Sequence, residues 1–245
     1  MPAGPTANPM RARFRRQVRD DVKRVALGQL ATGGPQAISL NAIARELGVS
    51  GPALYRYVAG RDELLTALVV DAYDDLRDAL AGALEAGAPP ASARAARPVT
   101  RVARAYRQWA LAQPHRYDLL FKPPIPGYDA HADERATAAR SLMGVLLAAS
   151  TASVPGGASA PDAEPGGAPP AYSHDAVLAE RGSGSARFGL AVSVWSCLHG
   201  VASLECGGSF AAMRLDADAL FEREVQVLEE RIARSGPGSA APSPG

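Results

Sequence analysis

Residues 39–57 read SLNAIARELGVSGPALYRY, and few folds accept such a run. Ser39 suits an N-cap, and Ile43, Ala44 and Leu47 fall on one side of a short helix ending near Leu47. Gly48 can take the left-handed conformation that stops a helix. Ser50 can cap a second short helix, with Pro52 in its first turn, running to about Tyr57. Small Ala44 lets the two helices approach, and Leu47, Val49 and Leu54 can fill the corner between them. This is helix-turn-helix geometry, whose second helix enters the major groove and turns its N-terminal residues to base edges. Helix pairs with small residues at the turn also occur in ordinary bundles, so the segment by itself leaves a purely structural pair open.

The rest of the chain predicts helices as well. Alanine occupies 50 of 245 positions, and it favours helices and is depleted in strands. An all-β fold is excluded on this ground. From Arg11, the residues Phe14, Val18, Val22 and Val25 form one apolar stripe, with Arg15, Arg19 and Lys23 beside it, until Gly33-Gly34-Pro35. A long helix is predicted from Arg61 to about Ala86, with Asp62 and Glu63 favourable in its first turn. Further helices are predicted from Pro98, at HRYDLLF, after Asp129 with a core face of Leu142, Met143, Val145, Leu146 and Ala149, from Ser185 to Leu204, and after Asp216.

The expectation is therefore an all-α chain of about nine helices. Residues 1–10 and 235–245 read as tails, 11–60 as a helix-turn-helix domain and 61–86 as a connecting helix. Residues 87–234 read as a larger helical domain, containing a Pro-, Gly- and Ala-rich loop at 153–171.

Charge narrows the function. The net charge is only +1, but residues 1–60 carry nine basic and three acidic side chains, a net +6, and the remainder carries −5. Such an asymmetry points the N-terminal part at a polyanion, the alternative being a solvated basic face. Of the 26 basic residues only Lys23 and Lys122 are lysines. Two cysteines, Cys197 and Cys206, make no disulfide framework and fit a reducing compartment. The N-terminus lacks the apolar stretch of a secretory signal, and the longest apolar run, Leu142–Ala149, falls short of the roughly 20 residues that cross a bilayer. A cytoplasmic protein with no membrane partner is expected.

Neither a nucleophile elbow, nor a phosphate-binding loop, nor a zinc-protease motif occurs. Cys197 and His199, two apart on a helix, point away from each other and do not share a metal. No catalytic residue, metal or cofactor is assigned.

The run A-x-x-L-G-V-S-x-P-x-L-Y-x-x-V from Ala44 to Val58, followed by R-D-E-L-L at 61–65, resembles the N-terminal domain of the TetR family of transcriptional regulators. The likeness covers Arg11 to about Val70. The family often has Phe where Val58 stands and Lys where Arg61 stands. More loosely, Trp195, His199 and Gly200 resemble the W-x-x-x-H-G pattern in the C-terminal domain of some regulators from GC-rich bacteria. The resemblance implies a ligand-responsive regulator, usually a repressor, that binds a palindromic double-stranded DNA operator as a homodimer and is released by a small-molecule effector. The alternative is a helical protein-interaction module without sequence-specific DNA binding.

Side-chain chemistry assigns roles within that frame. Gly51, Pro52 and Ala53 begin the recognition helix, where Pro52 and Ala53 offer only apolar contact, for example to a thymine methyl. Arg56 can hold guanine bidentately or pair with phosphate, and Tyr57 also reaches out. Ser50, Tyr55 and Arg61 suit phosphate contacts that set register, and Asn41 can reach the backbone. Core packing is the alternative for Tyr55 and Tyr57.

Tyr106, Trp109, Tyr117, Phe121, Trp195 and His199 are core residues or the lining of an effector pocket. The Phe188, Val192, Trp195, His199 face and the Phe221, Val225, Leu228, Ile232 face are candidates for the dimer interface.

Overall fold

The computed structural model describes residues 9–86, 97–122, 128, 132–154 and 183–235. Among these residues every regular element is helical: α1 (Pro9–Gly33), α2 (Leu40–Glu46), α3 (Gly51–Leu54), α4 (Arg61–Glu85), α5 (Pro98–Ala112), α6 (Pro114–Phe121), α7 (Ala132–Ala152), α8 (Ser183–Cys206), α9 (Ser209–Ala212) and α10 (Ala217–Arg234). A 3₁₀ turn, Pro35–Ala37, follows α1. The single-turn α9 is the helix that periodicity does not foresee. The tails and most of the 153–171 loop lie outside the described residues. The start of that loop does not: Ser153 is buried, its hydroxyl accepting from the Val99 amide at 3.0 Å and donating to the Ala149 carbonyl at 2.8 Å.

The described residues fall into two compact units, within Met1–Ala72 and His115–Ala136 and within Tyr73–Pro114 and Thr137–Gly245. In the first unit Val22, Val25, Ala26 and Leu30 of α1, Ile43 and Ala44 of α2, Leu54 of α3, and Leu64, Leu65 and Leu68 of α4 make one core. Burying each large side chain contributes about 1.5–3 kcal/mol. Leu119 and Tyr128 pack against the same cluster, and Tyr128 shares a 3.0 Å hydrogen bond with buried Thr66. The expected α1 stripe is shorter at its start, because Phe14 is 62% exposed and Val18 only half-buried. The helix outruns the core beneath it.

In the second unit α5 packs against α8 and α10, and α8 against α9 and α10. Val102, Tyr106 and Trp109 of α5, Leu146 of α7, Val194 and Leu198 of α8 and the α10 stripe are buried. Charge ties the helices together. The Arg107 guanidinium lies on the Glu205 carboxylate at 2.6 and 2.7 Å, meets Asp218 at 2.6 Å, and sits 4.9 Å over the Phe221 ring.

The buried side of α8 is Ala191, Val194, Leu198 and Ala202. The stripe that spacing favours, Phe188, Val192, Trp195 and His199, lies beside it and is half-buried. A helix apolar on most sides gives periodicity little to choose between. Arg187–Cys206 is also the one described stretch long and apolar enough to cross a membrane by length and composition.

Candidate nucleic-acid interface

The helix pair is built by its caps. Ser39 Oγ accepts from the Ala42 amide at 3.4 Å, and Ser50 Oγ from the Ala53 amide at 3.3 Å. Between them Gly48 sits at φ +66°. Its amide donates to the Arg45 carbonyl at 3.2 Å and the Val49 amide to the Ala44 carbonyl at 2.9 Å. This pair of bonds is a Schellman stop, whose left-handed residue strains any side chain with a Cβ. α2 therefore ends abruptly and α3 leaves in a new direction.

α3 is one turn long, and residues 55–57 continue it as a looser turn. The Arg56 amide bonds the Ala53 carbonyl at 3.3 Å and the Tyr57 amide the Leu54 carbonyl at 2.9 Å. Buried Leu54 and Val58 fix this segment to the core from beneath. Glu63 then reaches back to the Ala59 amide at the start of α4, a capping contact.

The predicted contact residues divide. Asn41, Ser50, Pro52, Tyr55 and Arg56 are exposed, Tyr55 by 53%. Gly51 and Ala53 are half-buried. Tyr57 packs against the core, as its alternative reading has it. Arg61 is half-buried and donates from Nη2 to the Pro35 carbonyl at 2.8 Å, so part of its guanidinium is committed within the unit. Ser50 uses an oxygen lone pair for its cap and keeps its O–H for another acceptor.

One residue outside the predicted set belongs here. Arg19 Nε donates to the Tyr57 carbonyl at 3.2 Å, tying α1 to the end of the recognition segment. The signal was the basic stripe Arg15, Arg19, Lys23 beside the α1 core face. Lys23, one turn further on, pairs with Asp71 at 2.8 Å.

The six candidate pocket residues split between the units. Tyr117 is buried in the first, its ring 4.9 Å from that of half-buried Phe121. Tyr106 and Trp109 are buried in the second, where Trp109 Nε1 donates to Asp75 at 2.9 Å. The Trp195 and His199 rings stand 6.1 Å apart on the half-buried side of α8, and burial lowers the His199 pKa below its ordinary 6.5. A groove of about 430 Å³ in the second unit runs between α4 (Ala81, Leu84) and α7 (Gly144, Val145), and none of the six lines it.

Of the interface candidates, Phe221, Val225, Leu228 and Ile232 are at most 3% exposed within the chain itself, spent on its own core. Phe188 and Val192 are half-buried.

Burial, and then Glu224, push the Cys197 thiol up to about 11, so it is a neutral S–H group lying 3.7 Å from that carboxylate. Among the described residues no three His, Cys, Asp or Glu side chains are grouped to hold a metal ion.

Comparison with known proteins decides the family. Residues 24–68 match the model described as bacterial regulatory proteins of the tetR family, and residues 99–228 match the tetracyclin repressor-like C-terminal domain. The chain belongs to the TetR family of bacterial regulatory proteins. It is 35% identical over 226 residues to the HTH-type transcriptional regulator Rv1816 of Mycobacterium tuberculosis, covering 89% of this chain and 95% of that one. The HTH-type transcriptional regulator Mb1846 of Mycobacterium bovis matches to the same extent. Among solved structures, SCO4313 is 41% identical with a TM-score of 0.70, covering 91% of this chain and 98% of that chain. A Rhodococcus sp. RHA1 protein of unknown function shares the fold at 23% identity and a TM-score of 0.63, covering 88% of this chain and 95% of the other. In this TetR-family chain the helix-turn-helix match ends at Leu68, the last α4 residue of the first core.

Proposed function

We propose that this chain is a ligand-responsive transcriptional regulator without enzymatic activity, working in the cytoplasm. It binds a palindromic operator as a homodimer, represses, and is released by a small-molecule effector. The observation that carries the reading is the exposed pair Tyr55 and Arg56, held at the end of a capped, core-anchored recognition segment. In their proposed roles Arg56 reads a base, and Ser50, Tyr55, Arg61 and Asn41 hold phosphates. Gly51, Pro52 and Ala53 bring the backbone close to the groove, and Tyr57 supports them from the core.

The C-terminal domain, residues 87–234 with the W-x-x-x-H-G residues Trp195, His199 and Gly200, is proposed to bind the effector and to dimerise. With the α10 stripe buried in its own chain, the pairing surface is proposed on the half-buried side of α8 around Phe188 and Val192. Selection of duplexes from a random pool by the full-length protein tests the whole reading. Enrichment of an inverted repeat, bound with steep salt dependence, is expected. A pool that stays random after repeated rounds removes the DNA-binding function.

A further inference from the structure

The first two turns of α1 carry a feature that the helix-turn-helix does not use. From Val18 onward, the face of α1 formed by Val18, Val22, Val25 and Ala26 turns into the core. Arg15 stands three residues before Val18 and seven before Val22, so helical spacing puts it at the margin of that face, where the basic stripe begins. The margin of a face that buries valines therefore becomes basic at its overhanging end. Phe14 shows that no core of the described residues lies beneath this part, being 62% exposed although four residues before Val18.

The neighbouring cations are equally available. Arg13, Arg15 and Arg16 are exposed, and no acid within salt-bridge reach accompanies them among the described residues. By contrast Lys23 and Arg24, further along the same helix, are paired with Asp71 and Asp21. The overhang also starts at a defined place. Arg19, one turn after Arg15 and Arg16, is bonded to the Tyr57 carbonyl, so the free arginines begin beside the recognition segment.

We propose that this overhang is a second DNA contact, laid on phosphates that flank the bases read by the recognition segment. The inference rests on the DNA-binding function proposed above. Its partner follows from charge: a cluster of unpaired guanidiniums continuing the margin of a core face needs an anionic body larger than a side chain, and duplex DNA presents one charge per about 1.7 Å. At 1.5 Å per residue, Pro9 to Val18 spans about 13 Å, the length of roughly four base pairs. The contact is with phosphate, so it lengthens the footprint without adding sequence preference.

The test uses the full-length protein and a duplex that it selects from a random pool, prepared with flanks of about six base pairs and trimmed to the selected bases. The variant carries Arg13→Ala, Arg15→Ala and Arg16→Ala together. Alanine keeps the helix, and none of the three touches the core. On the flanked duplex the slope of log affinity against log salt should fall by about 5, at about 0.9 per phosphate for three arginines in each of two protomers. Backbone protection should shorten by some base pairs at each end. The trimmed duplex should bind wild type and variant alike, and the triple Arg→Lys protein should recover most of the slope.

An unchanged slope and footprint on the flanked duplex overturns the proposal while leaving the DNA-binding function intact. An equal loss on both duplexes also overturns it, placing the arginines over the selected bases. Loss of the dimer by light scattering would assign the overhang to a second copy instead. If the wild-type protein selects no duplex, the function and this contact fall together.

Discussion

Arginine does opposite work in the two units. In the second, Arg107 lies between Glu205 and Asp218 with 16% of its side chain exposed, and Arg104 meets Glu222 at 2.9 Å. Arg101 donates to the Ala83 and Leu84 carbonyls at 3.0 Å each, closing the end of α4. These guanidiniums bind the chain to itself. In the first unit Arg13, Arg15, Arg16, Arg45 and Arg56 are exposed and joined to no acid among the described residues. Composition treats all these arginines alike, and only their partners, acids or backbone carbonyls, distinguish a fastener from a contact. Most of the +6 of the first 60 residues is therefore charge left uncompensated by the fold, Lys23 with Asp71 being the exception, and that is the form in which it is useful against a polyanion.

The largest effect that can break this contrast is at Arg107. Arg107→Met leaves Glu205, 13% exposed, without its bidentate partner, and should cost about 3 kcal/mol in urea unfolding. DNA affinity measured well below the transition should be unchanged. If affinity falls in step with stability, the two kinds of arginine are not separable.

Substitutions in the first unit should do the reverse. Arg56→Ala should cost about 1–3 kcal/mol of DNA binding at one base position, with the unfolding midpoint unmoved. A loss equal on every duplex would make Arg56 a phosphate contact. Tyr55→Ala should weaken all duplexes uniformly. Arg61→Ala crosses the divide, because its bond to the Pro35 carbonyl is internal. It should lower stability by about 1 kcal/mol as well as the salt slope, and titrations of both kinds on one sample check it.

A smaller effect compares the same backbone motif in both units. The stop after α9 repeats that after α2, with Leu215 bonded to the Phe210 carbonyl at 2.9 Å, but its left-handed residue is Arg214 at φ +57° where the first has Gly48. Arg214→Gly should stabilise by up to about 1 kcal/mol, and Gly48→Ala should destabilise by a similar amount. Thermal unfolding of the two variants reads both signs.

The smallest effect is a pH slope. Burial holds His199 below its ordinary pKa of 6.5, so the unfolded chain binds more protons near and below that pH. Its contribution is fully present above pH 6.5 and is lost as the pH falls through the depressed value. His199→Gln should flatten the decline of the urea midpoint between pH 7.5 and 5.5, and an unaltered decline would place its cause elsewhere.

What the sequence discloses follows how local the physics is. Ser39, Gly48, Ser50 and Asp216 cap helices within a few residues of themselves, and each could be placed before any fold was known. The exposure of Arg56 and Tyr55, just past the Ser50 cap, follows from the same local geometry. The buried side of α8 was not, because Phe188, Val192 and Trp195 are as apolar as Ala191, Val194 and Leu198. Only neighbours distant in sequence choose between them. Nor was the exposure of Phe14, since a spacing pattern does not say where the core ends. Ser153 looked like the start of a loop, and its bond to Val99, 54 positions away, is of the same non-local kind.

The proposed DNA-facing side of the first unit has a further consequence, for the kind of control it admits. Among the described residues the exposed cations of the first 60 positions are all arginines, and Lys23, the lysine of α1, is engaged with Asp71. Acetylation, which erases the charge of a lysine, has no exposed substrate among them. A cell that regulates such proteins by acylating surface amines would leave this grip untouched. On the proposed reading, release from DNA comes from moving the arginines, a route that lysine acylation does not touch.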